Sequence, residues 1–209
     1  MSAAQRALDR IRYPLIGYFY SLFPGRISTR KILPFYLNKH RLLGCGAEIG
    51  VQKGAFSEHL LRYWRGDALY CIDPWLHFNP AEYVERNDNV ADEIHEDHYH
   101  ETVKRLKRFC SRAQIIRAPS KEAALKFENH SLDFVFIDAQ HHYEAVKEDI
   151  RIWHPKIKSN GLLCGHDWLL DYGPPLFGVK KAVVEFIEQS GLELVISADR
   201  GTWFVRLAK

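Results

Sequence analysis

From residue 46 to the end of the chain, short apolar runs alternate with segments whose apolar residues recur at helical spacing. The first five runs are GAEIGV (46–51), ALYCID (68–73), AQIIRA (113–118), LDFVFID (132–138) and GLLCG (161–165), the last following an Asn160-Gly161 turn. LELVIS (192–197) and GTWFVRL (201–207) close the series. Between them, Phe56, Leu60, Leu61 and Trp64 mark one helix, Tyr143, Val146, Ile150 and Trp153 a second, and Val179, Val183, Phe186 and Ile187 a third. Ser120 stands where it can cap a short helix carrying Ala123, Ala124 and Phe127 on its apolar side. Strands alternating with helices build βαβ units, a parallel sheet and right-handed crossovers. Only Ala198, Asp199 and Arg200 join the last two runs, too few for a crossover, so the final strand runs antiparallel. The expected fold is α/β and Rossmann-like, with helices on both faces of a mostly parallel sheet.

The chain divides by charge. Residues 1–41 carry eight Lys/Arg and one acid, Asp9, whereas the remainder has 21 basic and 25 acidic residues. This predicts a basic, aromatic arm over 1–41 and a domain over 42–209. A formal charge of +3 gives no indication of a nucleic-acid partner. Within the arm, YPLIGYFYSLFPG (13–25) is interrupted by Pro14, Gly17 and Pro24 and is too short to span a bilayer. Two readings stay open for it: packing on the domain or a second subunit of a homo-oligomer, or weak contact with a membrane surface or amphiphilic substrate. Cys45, Cys71, Cys110 and Cys164 show no CxxC spacing, which points to free thiols and a reducing, cytoplasmic setting.

Residues 78–112 break the alternation. They are highly charged, with a sparse apolar stripe of Tyr83, Val84, Val90, Ile94, Tyr99, Val103 and Leu106, and are expected to form solvated helices inserted after the second strand. His95 and His98 could share a helix face, but His100 is off it, which favours a solvated helix over a metal site.

In open α/β sheets, ligands bind beyond the carboxyl ends of the strands. Glu48, Asp73, Asp138 and Asp167 fall at or near four of the first five strand ends, with His141 and His166 beside them. Scattered surface polarity would rarely produce that distribution. Gly50 and Gly54 let the loop after the first strand approach a ligand closely. Asp73, 23 residues after Gly50, can accept hydrogen bonds from both hydroxyls of a ribose. Neither GxGxxG nor the P-loop GxxxxGK[ST] is present after the first strand. An acid inside that strand, followed by a two-glycine loop, suits a ligand with a cationic amino acid better than a pyrophosphate.

These segments resemble the class I S-adenosylmethionine-dependent methyltransferases: AEIGVQKGAFSEHL, LYCIDPW, LDFVFIDAQHHYEAVKEDI, NGLLCGHDW and GVKKAVVEF. They are most similar to the small-molecule O-methyltransferase branch with ExGxxxG, IDxxHxY and GHD motifs, and the likeness covers about residues 45–207 in order. It implies a seven-stranded sheet of order 3-2-1-4-5-7-6 and S-adenosylmethionine as cofactor. Glu48, Gly50 and Gly54 would line the methionine moiety, Asp73 would hold the ribose, Ser120 would lie near the adenine, and Val51 would also contact the cofactor. Asp138 would face the reacting centre. The chain departs from the family at Ala139-Gln140, where Gly-Asp or Gly-Asn is usual, and at His166-Asp167, where metal-dependent members often carry two acids.

Two mechanisms are compatible with this pattern. In one, Asp138, His166 and Asp167 bind Mg²⁺ or another divalent metal that orients and acidifies a hydroxyl. In the other, no metal is used, Asp138 and Asp167 bind substrate or cofactor, and His141 is the general base, since imidazole titrates near neutral pH. The implied acceptor is a hydroxylated small molecule, a sugar or a polyketide-type metabolite. A cofactor-binding interaction protein without turnover is the alternative from another class. An iron hydroxylase finds no clear two-His-one-carboxylate set. His142 reads as a solvated or capping residue, Tyr143 as a packed helix residue, His40 and His154 as structural, and Asp171 with Tyr172 as part of a lid.

Overall fold

The computed structural model describes residues 29–79, 89–168 and 178–208. The aromatic run 13–25, Tyr83, Val84, Asp171 and Tyr172 lie outside the described residues. One sheet contains β1 (Cys45–Ile49), β2 (Ala68–Asp73), β3 (Ala113–Arg117), β4 (Leu132–Ile137), β5 (Ile157–Gly165), β6 (Leu194–Ile196) and β7 (Trp203–Arg206). Its order is β3-β2-β1-β4-β5-β7-β6. Pairings from β3 through β5 are parallel, and β7 is antiparallel to both β5 and β6, as connection length required.

The described helices are α1 (Leu33–Lys39), α2 (Ala55–Tyr63), α3 (Asp92–Leu106), α4 (Ser120–Ala124), α5 (Tyr143–Trp153) and α6 (Val179–Ser190). Strand alternation sorts them into two layers. Phe134 and Phe136 of β4 pack in a core with Leu33 and Leu37 of α1, Phe56, Leu60 and Leu61 of α2, and Leu106 of α3. Val135 and Ile137 face the opposite way, toward Val146 and Ile150 of α5 and Val183 of α6. Burial on both faces explains why β4 reads as an unbroken apolar run.

Register positions the site. Ile49 pairs with Ile72 on one side and Ile137 on the other, and Ile137 pairs with Gly165. Gly50, Asp73, Asp138 and His166 therefore emerge along one edge of the sheet. The chain reverses its direction of winding between β1 and β4, where a crevice opens.

Several local expectations need correction. β5 starts at Ile157: Asn160, at φ 62°, lies in a bulge within the strand and not in a turn before it. α3 buries His98, Thr102 and Leu106, one per turn, while Ile94 and Val103 are exposed. Its polar inner face is satisfied in part by the first loop, since the Thr102 hydroxyl donates to the Gln52 carbonyl at 3.0 Å. Ser120 does not cap α4. Pro119 holds that position, and the serine is the first helical residue. Within residues 1–41, Ile32, Leu33 and Leu37 are buried in the domain core, which does not conflict with the expected arm.

Tyr143 packs between α5 and α6 with its hydroxyl on Glu185, and His142 precedes α5 in extended backbone without capping it through its side chain. The His40 ring lies 4.3 Å from that of Tyr36, and that of His154 5.1 Å from Phe186. Both pairings agree with structural roles.

Candidate active site

A cavity of about 630 Å³ crosses the carboxyl ends of β3, β2, β1, β4 and β5. Glu48, Gly50, Val51, Asp73, Ser120, Asp138, His141, His166 and Asp167 all line it. Of the candidate residues only Gly54 does not. It starts α2 in the left-handed region at φ 68°, beside Thr102.

The loop after β1 is held in place before any ligand arrives. Asp73 Oδ2 accepts the amides of Val51 at 2.8 Å and Gln52 at 2.9 Å, and Oδ1 accepts that of Trp75 at 2.7 Å. The Trp75 indole donates to the Gln52 carbonyl at 2.7 Å. A carboxylate offers about four acceptor directions, so a ribose diol on Asp73 must share or replace some of these amides. Gly50, at φ 86°, is required for a reason not anticipated from sequence. A Cβ there would lie 2.1 Å from the Asp138 carbonyl oxygen, so the glycine permits the β1 and β4 exits to close on each other.

Glu48 is buried, and Ser57 Oγ donates to its Oε2 at 2.5 Å. Burial pushes its carboxyl up to about 8, against the opposing effect of the Ser57 hydrogen bond. It is thus a largely neutral acid at pH 7, and an incoming cation would ionise it. At the other end of the cavity, Ser120 Oγ donates to Asp149 and accepts the Trp153 indole N–H at 2.8 Å. Burial raises Asp149 to about 7. The sequence reading missed Asp149, although an acid on the buried face of α5, between Val146 and Trp153, was a usable signal.

Asp138, His141 and Asp167 bring one ligand atom each within 4.8 Å of one another. His141 Nε2 lies 2.8 Å from Asp167 Oδ2 and 3.9 Å from Asp138 Oδ1. His166 Nδ1 lies 3.1 Å from Asp167 Oδ1 and 3.9 Å from Asp138 Oδ1. The candidate base therefore stands with the two carboxylates, and His166 flanks them. Burial works to raise Asp167, but hydrogen bonds and charge from His141 and His166 outweigh it and hold the carboxyl well below the usual carboxylate range. Asp167 adopts φ 58°, a left-handed conformation that Asp tolerates better than most residues, and this turns its carboxylate toward His141. Two carboxylates and an imidazole nitrogen fit a divalent cation, with Mn²⁺-like softness suiting the nitrogen better than Mg²⁺.

Two further cavity residues were not anticipated. Arg30 Nη1 lies 2.7 Å from Asp138 Oδ2. His95 reaches the wall from α3, near Asp73, with Nε2 buried and lacking a hydrogen-bond partner among the described residues. His100 is instead exposed and pairs with Glu96 at 3.2 Å, so the three histidines of α3 do not converge.

Residues 47–168 match the family model described as a methyltransferase domain. No curated protein matches the sequence. Among solved structures, a Corynebacterium glutamicum protein is 13% identical, with 100% of this chain and 98% of that one covered and a TM-score of 0.63. An O-methyltransferase from Bacillus cereus, solved in complex with SAH, is 11% identical over 100% of this chain and 98% of its own, with a TM-score of 0.61. The O-methyltransferase NovP is 15% identical over 86% and 78%, with a TM-score of 0.64. At such identities the likeness carries the fold alone. No helix among the described residues is long and apolar enough to cross a membrane.

Proposed function

The chain belongs to the methyltransferase-domain family, and on that premise we propose that it transfers the methyl group of S-adenosylmethionine to a hydroxyl of a small molecule, assisted by a divalent cation. The observation carrying this reading is the convergence of Asp138, His141 and Asp167 on the wall of the same cavity that holds Glu48 and Asp73. The groups assigned here to cofactor binding and to proton handling thus line one cavity.

In this reading Glu48 would pair with the ammonium of the cofactor, Asp73 would accept its ribose hydroxyls, and Ser120 with Asp149 would lie beside its adenine. His95 Nε2 gains a ligand partner. The acceptor oxygen attacks the methyl carbon, forming the C–O bond as the C–S bond breaks to leave S-adenosylhomocysteine. The sulfonium methyl is already activated, so the protein must align the nucleophile and remove its proton. Where no cation is bound, His141 Nε2 would receive that proton, with the ionised Asp167 beside it balancing the imidazolium; a His141 Nε2 that ligates a cation cannot also act as base. Asp138, His141 and Asp167 would hold the cation, which supplies polarisation of the acceptor oxygen.

The test is turnover of S-adenosylmethionine with a panel of sugars and polyketide-type phenols, scored as a mass gain of one CH₂. Turnover that survives exhaustive chelation would leave His141 as base without a cation. Cofactor binding with no product from any acceptor would favour an interaction role.

A further inference from the structure

Arg30 precedes the family-matched residues 47–168, yet its side chain enters the reaction cavity. Its Nη1 lies 2.7 Å from Asp138 Oδ2, and its guanidinium carbon lies 5.1 Å from the centre of the Phe56 ring. The backbone carrying it is anchored. His59 Nε2 is 2.8 Å from the Lys31 carbonyl oxygen, the Lys31 amide donates to Thr29 Oγ1 at 3.0 Å, and Ile32 and Leu33 are buried. The guanidinium is therefore directed to Asp138 by a fixed segment, while its side chain, 36% exposed, keeps an open side through which to withdraw.

Asp138 thus belongs to two arrangements. It is the partner of Arg30 and a member of the group with His141 and Asp167. A divalent cation among those three would sit a few ångströms from the guanidinium, in a part-buried site where like charges are weakly screened. Arg30 has no means of relieving that repulsion by losing its proton, since guanidinium stays charged in proteins. We infer that Arg30 and a divalent cation are alternative counter-ions of Asp138. Arg30 neutralises the carboxylate when no cation is bound, must withdraw when one binds, and so sets the cation concentration the site requires. This rests on the proposed reading for the identity of the site, but the competition itself is a matter of charge and distance.

The test is titration with Mn²⁺, followed by calorimetry and by loss of the free-ion electron paramagnetic resonance signal. Wild type, Arg30→Gln, Arg30→Lys and the double variant Arg30→Gln/Asp138→Asn are compared. The expected result is at least tenfold tighter Mn²⁺ binding in Arg30→Gln, little gain in Arg30→Lys, and loss of the gain in the double variant. Equal affinity in wild type and Arg30→Gln overturns the inference. So does absence of binding from both, or a gain that persists without the Asp138 carboxylate. If Arg30→Gln fails to fold, Arg30→Met keeps the aliphatic stem beside Phe56 and carries the same expectation. S-adenosylhomocysteine is titrated into the same preparations: its binding, with Mn²⁺ affinity unmoved by the Arg30 variants, sinks this inference and leaves the methyltransferase reading intact.

Discussion

Asp167 stands in a left-handed backbone conformation at φ 58° with Oδ2 2.8 Å from His141 Nε2. Asp tolerates this conformation better than most residues, and it turns the carboxylate toward the imidazole.

Asp167→Asn tests that pair with little change in backbone preference, because Asn also tolerates the left-handed region. Turnover should fall by about a hundredfold or more, within the range for loss of a group supporting acid–base catalysis. The folded carboxyl is held below its ordinary value, so its contribution to stability is present above the unfolded pKa and is lost as pH falls through the folded one. Wild type should exceed Asp167→Asn by about 2 kcal/mol at pH 7, as for a hydrogen bond to a charged group. Denaturant melts should show that margin shrinking below about pH 4.

Glu48 has the opposite sign. Its carboxyl is raised from 4.5 to about 8, so its neutral form belongs to the folded state. That stabilisation is complete below the unfolded pKa and is lost as pH rises through about 8. Glu48→Gln should match wild type near pH 5 and exceed it at pH 9 by on the order of a few kcal/mol. The same variant should bind S-adenosylhomocysteine at least tenfold more weakly. In wild type, cofactor binding near pH 7 should release a proton, read as a binding enthalpy that varies with the ionisation enthalpy of the buffer.

Gly50 and Gly54 separate packing from conformation. Both have positive φ, but a Cβ on Gly50 meets the Asp138 carbonyl oxygen at 2.1 Å, while on Gly54 the nearest atom is a Thr102 methyl at 3.0 Å. Gly50→Ala should cost about 3 kcal/mol or more and move Asp138, removing activity. Gly54→Ala should cost about 1–2 kcal/mol, mostly backbone strain. Thermal melts of both variants, with activity, check the order.

Much of the fold follows from patterns that physical chemistry makes local. β4 reads as a strand because it is buried on both faces, and the antiparallel β7 follows from a connection of only six residues, too short for a crossover. The strand order came from resemblance, since pairing between distant strands leaves no local trace. At the site, the acids at the strand ends were legible because sheet topology gathers them. Arg30 was not, because its approach to Asp138 spans 108 positions and depends on how the arm's apolar residues dock. The inner face of α3 was misread for a related reason. His98 and Thr102 are buried there against the first loop, so apolar periodicity pointed to the exposed Ile94 and Val103.

Ser120 ties α4 to α5. Ser120→Ala removes the hydroxyl that donates to Asp149 and accepts from Trp153. A buried acid near neutral pKa and an indole N–H then each lose a partner, which should cost about 1–3 kcal/mol. Denaturant melts at pH 7 measure it, with a modest weakening of S-adenosylhomocysteine binding.

The most direct measurement of the central claim is calorimetric titration of S-adenosylhomocysteine into wild type and Asp73→Ala, with circular dichroism to verify that the variant is folded. One site per wild-type chain is expected, with binding weakened at least tenfold in the folded variant. No binding to wild type, or undiminished binding to Asp73→Ala, would contradict it.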